Sequence, residues 1–309
     1  MSLITAYRPE TLDQFEGNKA LKASLKSKLK LSPEKRPHVY MLIGEAGCGK
    51  TTIARIIKKY LKCDDFEFTE IDASGEDGGV GPVRELKRTV HYPPMAGDVR
   101  IWFIDEAHNI TGKAQEAFLK MLEEPPTHAY FILATTDPQK LSKTLKDRCA
   151  TYEVKPLERE EMEAFLLDVI DCEEAKIPKD VLKKIVFDSQ GRPRAALQLL
   201  EKVIDLPEKE MLSAIEAMDA IEKQAIDLCR VLLNEKAKWK EVAAILSTLV
   251  AETEETRLAV LGYCASVLMK GADVPRAGII MNCFKDPFFN TGKTGRNGLV
   301  LAAYEVICG

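Results

Sequence analysis

The chain has 309 residues, enough for roughly two or three domains of ordinary size. Apolar residues make up 46% and charged residues 30%, a soluble globular balance with ample core material. A net charge of -4 excludes a basic nucleic-acid coat, so any contact with DNA or RNA needs a local patch.

Eight cysteines are scattered without a C-x-x-C pair, so a zinc ribbon is not expected. With no signal peptide, the single thiols imply a reduced, intracellular chain, and no apolar run approaches the ~20 residues of a membrane span.

In chain order, Lys19, Lys22, Lys26, Lys28, Lys30, Lys35 and Arg36 surround a Leu21, Leu25, Leu29 stripe. This predicts a helix with its lysines on a solvated face. Strand-length apolar runs follow at 38–44, 66–74, 100–106 and 130–136, with a fifth at 149–154. Helical periodicity lies between them. In "TGKAQEAFLKMLEEPP", Ala114, Ala117, Phe118, Met121 and Leu122 share one face, Thr111 is the expected N-cap, and Pro125-Pro126 ends the helix. Alternating strands and helices predict an α/β domain with a parallel sheet. Beyond Pro156 the strand signal stops. Three short helices are expected over 157–205 and further helices to the end. The expected domains are therefore 1–156, 157–206 and 207–309.

"GEAGCGKTT" follows the first apolar run and fits G-x-x-x-x-G-K-[ST]. Gly44, Gly47 and Gly49 let the backbone curl so that N–H groups and a helix N-terminus face phosphates. Lys50 is placed to bridge the β- and γ-phosphates, and the Thr51 hydroxyl to bind Mg²⁺. Cys48 lies inside this loop and reads as a tolerated small residue, with an accessible thiol that would make the site oxidant-sensitive as the alternative. A second "GKT", at 292–294, has Pro287 where the first glycine belongs and no strand before it, so it reads as a turn. "IWFIDEAH" ends a strand in Asp105-Glu106, one carboxylate for Mg²⁺ and one to polarise an attacking water. For Thr135-Thr136 the sequence leaves two readings open, a hydroxyl for the water or γ-phosphate and a cap before Pro138. Arg192 and Arg194 flank Pro193 at a helix start, where the dipole disfavours cations, and a bound phosphate would remove that penalty.

Taken together, "AYRPETLDQFEGN", "GEAGCGKTT", "WFIDEAHNITGKAQEAFLKMLEEPP", "FILATTDPQKLSKTLKDRC" and "GRPRAALQLL" resemble the clamp-loader ATPases of the AAA+ class. The likeness is to the gamma/tau subunits of bacterial DNA polymerase III, with replication factor C small subunits as relatives. It runs from Tyr7 to about Leu200. It implies an AAA+ P-loop domain, a small helical lid and an all-helical C-terminal collar domain. Tyr7, Arg8 and Pro9 match the segment beside the adenine. The nucleotide cradle is Gly44, Gly47, Cys48, Gly49, Lys50, Thr51 and Thr52, with Thr51 and Asp105 on Mg²⁺. Glu106 is the base, Thr136 the first sensor and Arg194 the second, on the lid. Arg148 matches an arginine finger that reaches a neighbouring subunit's nucleotide, with Asp147 beside it where the family has serine, an extra carboxylate expected to mute or tether it. Arg84, Lys87, Arg88 and Lys113 are the expected DNA contacts.

The resemblance thus implies ATP and Mg²⁺ as cofactors, without the zinc of bacterial gamma/tau, and an ATP-driven subunit that helps open a sliding clamp and place it on primer–template DNA. Other loader subunits, in a pentamer, are the implied partners, in the cytoplasm of a bacterial or phage-infected cell and at the nucleoid. Ending at residue 309, the chain is expected to lack the long extension of tau. The rival expectations are another AAA+ DNA motor, of the Holliday-junction branch-migration type, and a non-hydrolysing scaffold subunit.

Overall fold

The computed structural model describes residues 2–308 except 75–79, 124, 235, 250–252, 270–273 and 288–294. Side chains at 80, 82, 84, 113, 216–223, 225, 255 and 295 also lie outside the described set, as does the second "GKT". The chain divides into two compact units, Met1–Glu208 and Lys209–Gly309.

In the first unit, five strands form one sheet: β1 Val39–Ile43, β2 Phe68–Asp72, β3 Arg100–Asp105, β4 Ala129–Thr135 and β5 Ala150–Glu153. All pairs are parallel, in the order β2-β3-β4-β1-β5. The strands alternate between two buried faces, as a doubly covered sheet requires. Tyr40, Leu42, Ile101, Phe103, Tyr130 and Ile132 share one cluster. Val39, Met41, Trp102, Ile104, Phe131 and Leu133 share the other.

A short helix α1 (Leu3–Ala6), which no sequence pattern foretold, precedes α2 (Lys19–Leu29). α2 and α3 (Lys50–Tyr60) cover the first face through Leu21, Leu25, Leu29, Ile53 and Ile57. The second face is covered by α4 (Val80–Thr89), α5 (Gly112–Glu123) and α6 (Lys143–Asp147), through Leu86, Phe118 and Leu145 among others. The Phe118 ring meets Phe131 edge-on at 5.5 Å between centroids. On α2, Lys26 pairs with Asp13 at 3.0 Å and Lys22 donates to the Phe15 carbonyl at 2.6 Å. Arg36 turns back to the Leu29 and Leu31 carbonyls beyond the helix end. These groups are held locally.

The second strand is shorter than its apolar run. Asp64 accepts from the Phe66 N–H at 3.0 Å and starts a 3₁₀ turn over Asp65–Glu67. Glu67 then points inward, pairs with Arg100, and accepts from the Met95 and Ala96 N–H groups at 2.5 and 3.3 Å. The Arg100 guanidinium holds the Glu67 carboxyl below the usual carboxylate range.

Three helices complete this unit: α7 (Arg159–Cys172), α8 (Lys179–Asp188) and α9 (Pro193–Val203). The Leu157 N–H donates to the Gly191 carbonyl at 2.8 Å, joining the exit of the sheet to the start of α9.

The second unit holds α10 (Glu208–Leu233), which begins at the boundary, then α11 (Trp239–Thr248), α12 (Thr253–Met269), α13 (Pro275–Cys283) and α14 (Gly295–Cys308). Its core includes Leu228, Leu232, Val242, Val260, Ile280, Phe284 and Leu299. Three arginines reach carbonyls at helix ends. Arg276 donates to Leu232 at 2.6 Å, Arg296 to Leu246 at 2.8 Å, and Arg257 to Phe284 at 3.0 Å. Such contacts satisfy terminal carbonyls and oppose the negative dipole end. Among the described residues no helix is long and apolar enough to cross a membrane.

Arg100→Met should destabilise the first unit by about 1–3 kcal/mol at neutral pH, by leaving the Glu67 carboxylate without its cation. Glu67 has a depressed folded pKa, so the stability it contributes is present above about pH 4.3 and is lost as pH falls through the folded value. The deficit of the variant should therefore shrink in acid, as measured by urea unfolding at both pH values. Phe66→Ser, at a position 93% exposed, should change stability by less than about 0.5 kcal/mol.

Candidate active site

The strand order reverses at β1, which lies between β4 and β5, and such a switch point opens a crevice outside the carboxyl ends of the strands. The Gly44 N–H donates to the Thr135 carbonyl at 3.2 Å, and Val154 donates to the Ile43 carbonyl at 2.6 Å. A Cβ on Gly44 would lie 2.3 Å from the Val154 carbonyl oxygen. Gly44 is thus required for close approach rather than for curling the loop, which corrects the sequence reading. Gly49 does need its freedom: its φ is +102°, and a Cβ there would sit 2.8 Å from the Phe15 ring. α3 starts at the next residue and presents its unpartnered first-turn N–H groups to the cleft.

Lys50 is 6% exposed, and its ammonium donates to the Gly44 and Glu45 carbonyls at 2.8 and 3.0 Å. Burial lowers its pKa, opposed by the nearby Glu106 and Asp105 carboxylates. The Thr51 hydroxyl lies 3.4 Å from Asp105 Oδ2, and the Glu106 N–H donates to Asp105 Oδ1 at 3.0 Å. Glu106 has a left-handed backbone, φ +47°, unusual for a residue with a side chain. Its Oε2 accepts from the Thr136 hydroxyl at 3.3 Å and lies 3.3 Å from His108 Nδ1.

The two readings of Thr135-Thr136 now separate. The cap before Pro138 belongs to Asp137, whose carboxylate accepts from the Gln139 N–H at 3.2 Å. Thr135 is buried, accepts from the Asp137 N–H at 3.1 Å, and lies 3.1 Å from His108 Nδ1.

The opposite wall is the start of α9, where the Arg194 N–H reaches the Gly47 carbonyl at 3.4 Å. A cleft of about 990 Å³, open solvent included, is lined by the Gly47–Thr52 turn, Asp105, Glu106 and Arg194, with Tyr7, Arg8 and Pro9 from the N-terminal segment. Burial and the neighbouring Arg55 and Arg194 lower the Arg8 pKa. The Tyr7 hydroxyl donates to Glu173 at 2.6 Å, which pushes its pKa up to about 12. Ile4, Phe15, Leu157, Phe165 and Leu197 add an apolar wall. A cationic cradle, a hydroxyl beside a carboxylate and an apolar slot suit a nucleoside triphosphate with a divalent cation.

Arg148 does not line this cleft. It caps α6, and its guanidinium donates to Glu123 Oε1 at 2.7 Å and to the Thr144 carbonyl at 3.3 Å. The carboxylate that tethers it is therefore Glu123 at the end of α5, not the adjacent Asp147. Lys87 and Arg88 are exposed on α4, away from the cleft, and the side chains of Arg84 and Lys113 lie outside the described residues.

A curated relative, DNA polymerase III subunit gamma of Buchnera aphidicola subsp. Schizaphis graminum, is 31% identical over 260 residues, 76% of this chain and 71% of that protein. The chain belongs to the DNA polymerase III gamma/tau family. It spans 62% of a second gamma subunit, from Buchnera aphidicola subsp. Acyrthosiphon pisum, at 31% identity over 66% of this chain. It spans 39% of the gamma/tau subunit of Mycobacterium tuberculosis, at 30% identity over 66% of this chain. A family model described as DNA polymerase III, delta subunit, matches residues 65–158. Among solved structures, the Thermotoga maritima RuvB Holliday junction branch migration motor is similar in fold, with TM-score 0.57 and 19% identity over 78% of this chain and 85% of that one. The gamma/tau resemblance and the α/β AAA+ architecture expected from the motifs are borne out.

In this gamma/tau family member, sequence reasoning missed the apolar wall and His108. The apolar wall draws on α1, α7, α9 and loops, so no single spacing marks it, while His108 was in view within "IWFIDEAH" but carried no recognisable pattern. Of the two readings of Cys48, the accessible thiol is not met. Cys48 is 2% exposed, and burial pushes its thiol pKa up. A thiol alkylating reagent applied to the folded protein should modify the exposed Cys172 and Cys308 and spare Cys48 until denaturant is added, as read by peptide mass mapping.

Proposed function

We propose that this chain is an ATP-hydrolysing clamp-loader subunit that acts in DNA replication. The observation that carries this reading is the convergence of Lys50, Thr51, Asp105, Glu106 and Thr136 at the carboxyl ends of β1, β3 and β4, in a member of the gamma/tau family.

Lys50 exchanges its loop carbonyls for phosphate oxygens, and Arg194 approaches the same phosphates from α9. Tyr7, Arg8 and Pro9 close the cleft beside the base, against the apolar wall. Thr51 and Asp105 would hold Mg²⁺, which when bound neutralises charge on the phosphate oxygens. Glu106 accepts a proton from the attacking water as the water oxygen bonds to the γ-phosphorus and the bond to the β-phosphate oxygen breaks. The products are ADP and inorganic phosphate. Thr136 orients the Glu106 carboxylate and senses the γ-phosphate.

Arg148 completes the site of the neighbouring subunit, so that turnover depends on assembly. The partners in this reading are a sliding clamp, primer–template DNA and other loader subunits, in a pentamer located in the cytoplasm and at the nucleoid. Arg84, Lys87, Arg88 and Lys113 follow the DNA backbone without reading bases, an interaction that weakens steeply with salt. The domains act as a nucleotide-binding domain (1–156), a lid (157–206) and a collar (207–309).

The fold likeness to RuvB supports a second reading, a DNA motor of the branch-migration type. ATPase activity stimulated by primer–template plus clamp would favour the loader, and stimulation that grows with duplex length would favour the motor. Retention of Lys50, Thr51 and Glu106 argues against a non-hydrolysing scaffold.

Glu106→Gln should lower turnover by about 10²–10⁴-fold, the usual worth of a general base, while leaving nucleotide affinity intact. Wild-type turnover in that variant would reject the base. Arg148→Ala should lower turnover of the assembled complex by about 10³-fold or more with ATP binding unchanged. Undiminished hydrolysis there, or full activity in a dilute unassociated wild-type chain, would rule out a role in trans.

A further inference from the structure

Immediately after Asp105 the left-handed backbone of Glu106 turns the chain out of the β3 direction, so the aim of its carboxylate depends on what it touches. Oε2 touches two groups, the Thr136 hydroxyl and His108 Nδ1, each at 3.3 Å. The His108 side chain is 13% exposed and sits in a 3₁₀ turn, Ala107–Asn109, that the Asn109 N–H closes onto the Glu106 carbonyl at 2.9 Å. The turn is thereby anchored on the Glu106 backbone.

His38 and His128 each contact a backbone carbonyl, of Ala129 at 2.8 Å and Val90 at 3.1 Å, as structural histidines commonly do. His108 Nδ1 instead faces two side chains, Glu106 Oε2 and the buried Thr135 Oγ1. A neutral imidazole carries one ring N–H. With that hydrogen on Nδ1, it bonds Thr135 Oγ1, which also accepts from the Asp137 N–H, and places the positive edge of the ring beside the carboxylate.

We infer that His108 is a positioning residue for Glu106: the Nδ1 edge of its ring, anchored on Thr135, and the Thr136 hydroxyl flank the carboxylate from two sides, so that the oxygen that takes the proton is aimed before substrate arrives. This rests on the assignment of Glu106 as the base. Fixing a catalytic group in one orientation acts on turnover rather than on affinity.

In the assembled complex, His108→Ala should lower kcat about tenfold to a hundredfold, the usual effect of removing a group that orients another. Nucleotide affinity and the thermal unfolding midpoint should stay at wild-type values. His108→Asn places an amide N–H where Nδ1–H stood and should restore most of the rate. Independently of turnover, nitrogen NMR of the nucleotide-free chain, which has four histidines, should show His108 in the Nδ1-protonated tautomer. Glu106→Ala should shift it toward the Nε2-protonated form. Wild-type kcat in His108→Ala, equal loss in the alanine and asparagine variants, or a His108 tautomer indifferent to Glu106→Ala would each overturn the inference. Retained turnover in Glu106→Gln would instead remove the base assignment, and the tautomer measurement tells the two failures apart.

Discussion

The approach of Gly44 to the Val154 carbonyl governs where every group of the cleft stands. The end of β1 is wedged between two later strands, with hydrogen bonds to Thr135 on one side and Val154 on the other. Any side chain at 44 would displace backbone on β5, and no rotamer could relieve it. Because all five strands are parallel and in register, fixing β1 also fixes the ends of its neighbours. β3 delivers Asp105 and Glu106, β4 delivers Thr135 and Thr136, and β5 runs into Leu157, which is bonded to Gly191 just before α9. The start of α9 thus takes its position from the same strand end.

On that frame the electrostatics are settled before any ligand arrives. A buried ammonium without acceptors is strongly unfavourable, and Lys50 meets this with two loop carbonyls and two nearby carboxylates. A phosphate taking the place of those carbonyl oxygens would swap acceptors and require little further dehydration of the lysine. Arg8 and Arg194 face the same space and repel each other, which contributes to the lowered pKa of Arg8. An anion between them would relieve that repulsion.

The parallel sheet was legible because buried strands and amphipathic helices leave periodicity, and the phosphate loop because its spacing is dictated by geometry. Asp105, Glu106 and Thr136 were legible as polar residues that end apolar runs. What was not legible depends on partners distant in sequence. Phe15, Leu157, Phe165 and Leu197 line one cleft although they come from separate elements. The inward turn of Glu67 needs Arg100, 33 residues away. In the second unit Arg257, Arg276 and Arg296 look like surface charges in sequence, yet they close helix ends 27 to 50 residues distant. Adjacency in sequence also misled: Asp147 stands beside Arg148, but the helix end between them aims the guanidinium at Glu123.

The Arg148–Glu123 pair completes the physical picture of a group held off the cleft of its own chain. Both partners are partly exposed, at 31% and 56%, so the pair contributes about 0–1 kcal/mol. Glu123 lies in the last turn of α5, where the helix dipole disfavours a carboxylate, and the guanidinium offsets that locally. Such a contact is enough to keep a long side chain in one rotamer and too weak to compete with a multiply charged phosphate, which satisfies the same donors with more charge. A buried version of this pair would have locked the arginine in place, because breaking it would leave an uncompensated charge. Partial exposure thus leaves Arg148 held by Glu123 in the separate chain yet able to exchange that carboxylate for a more highly charged anion.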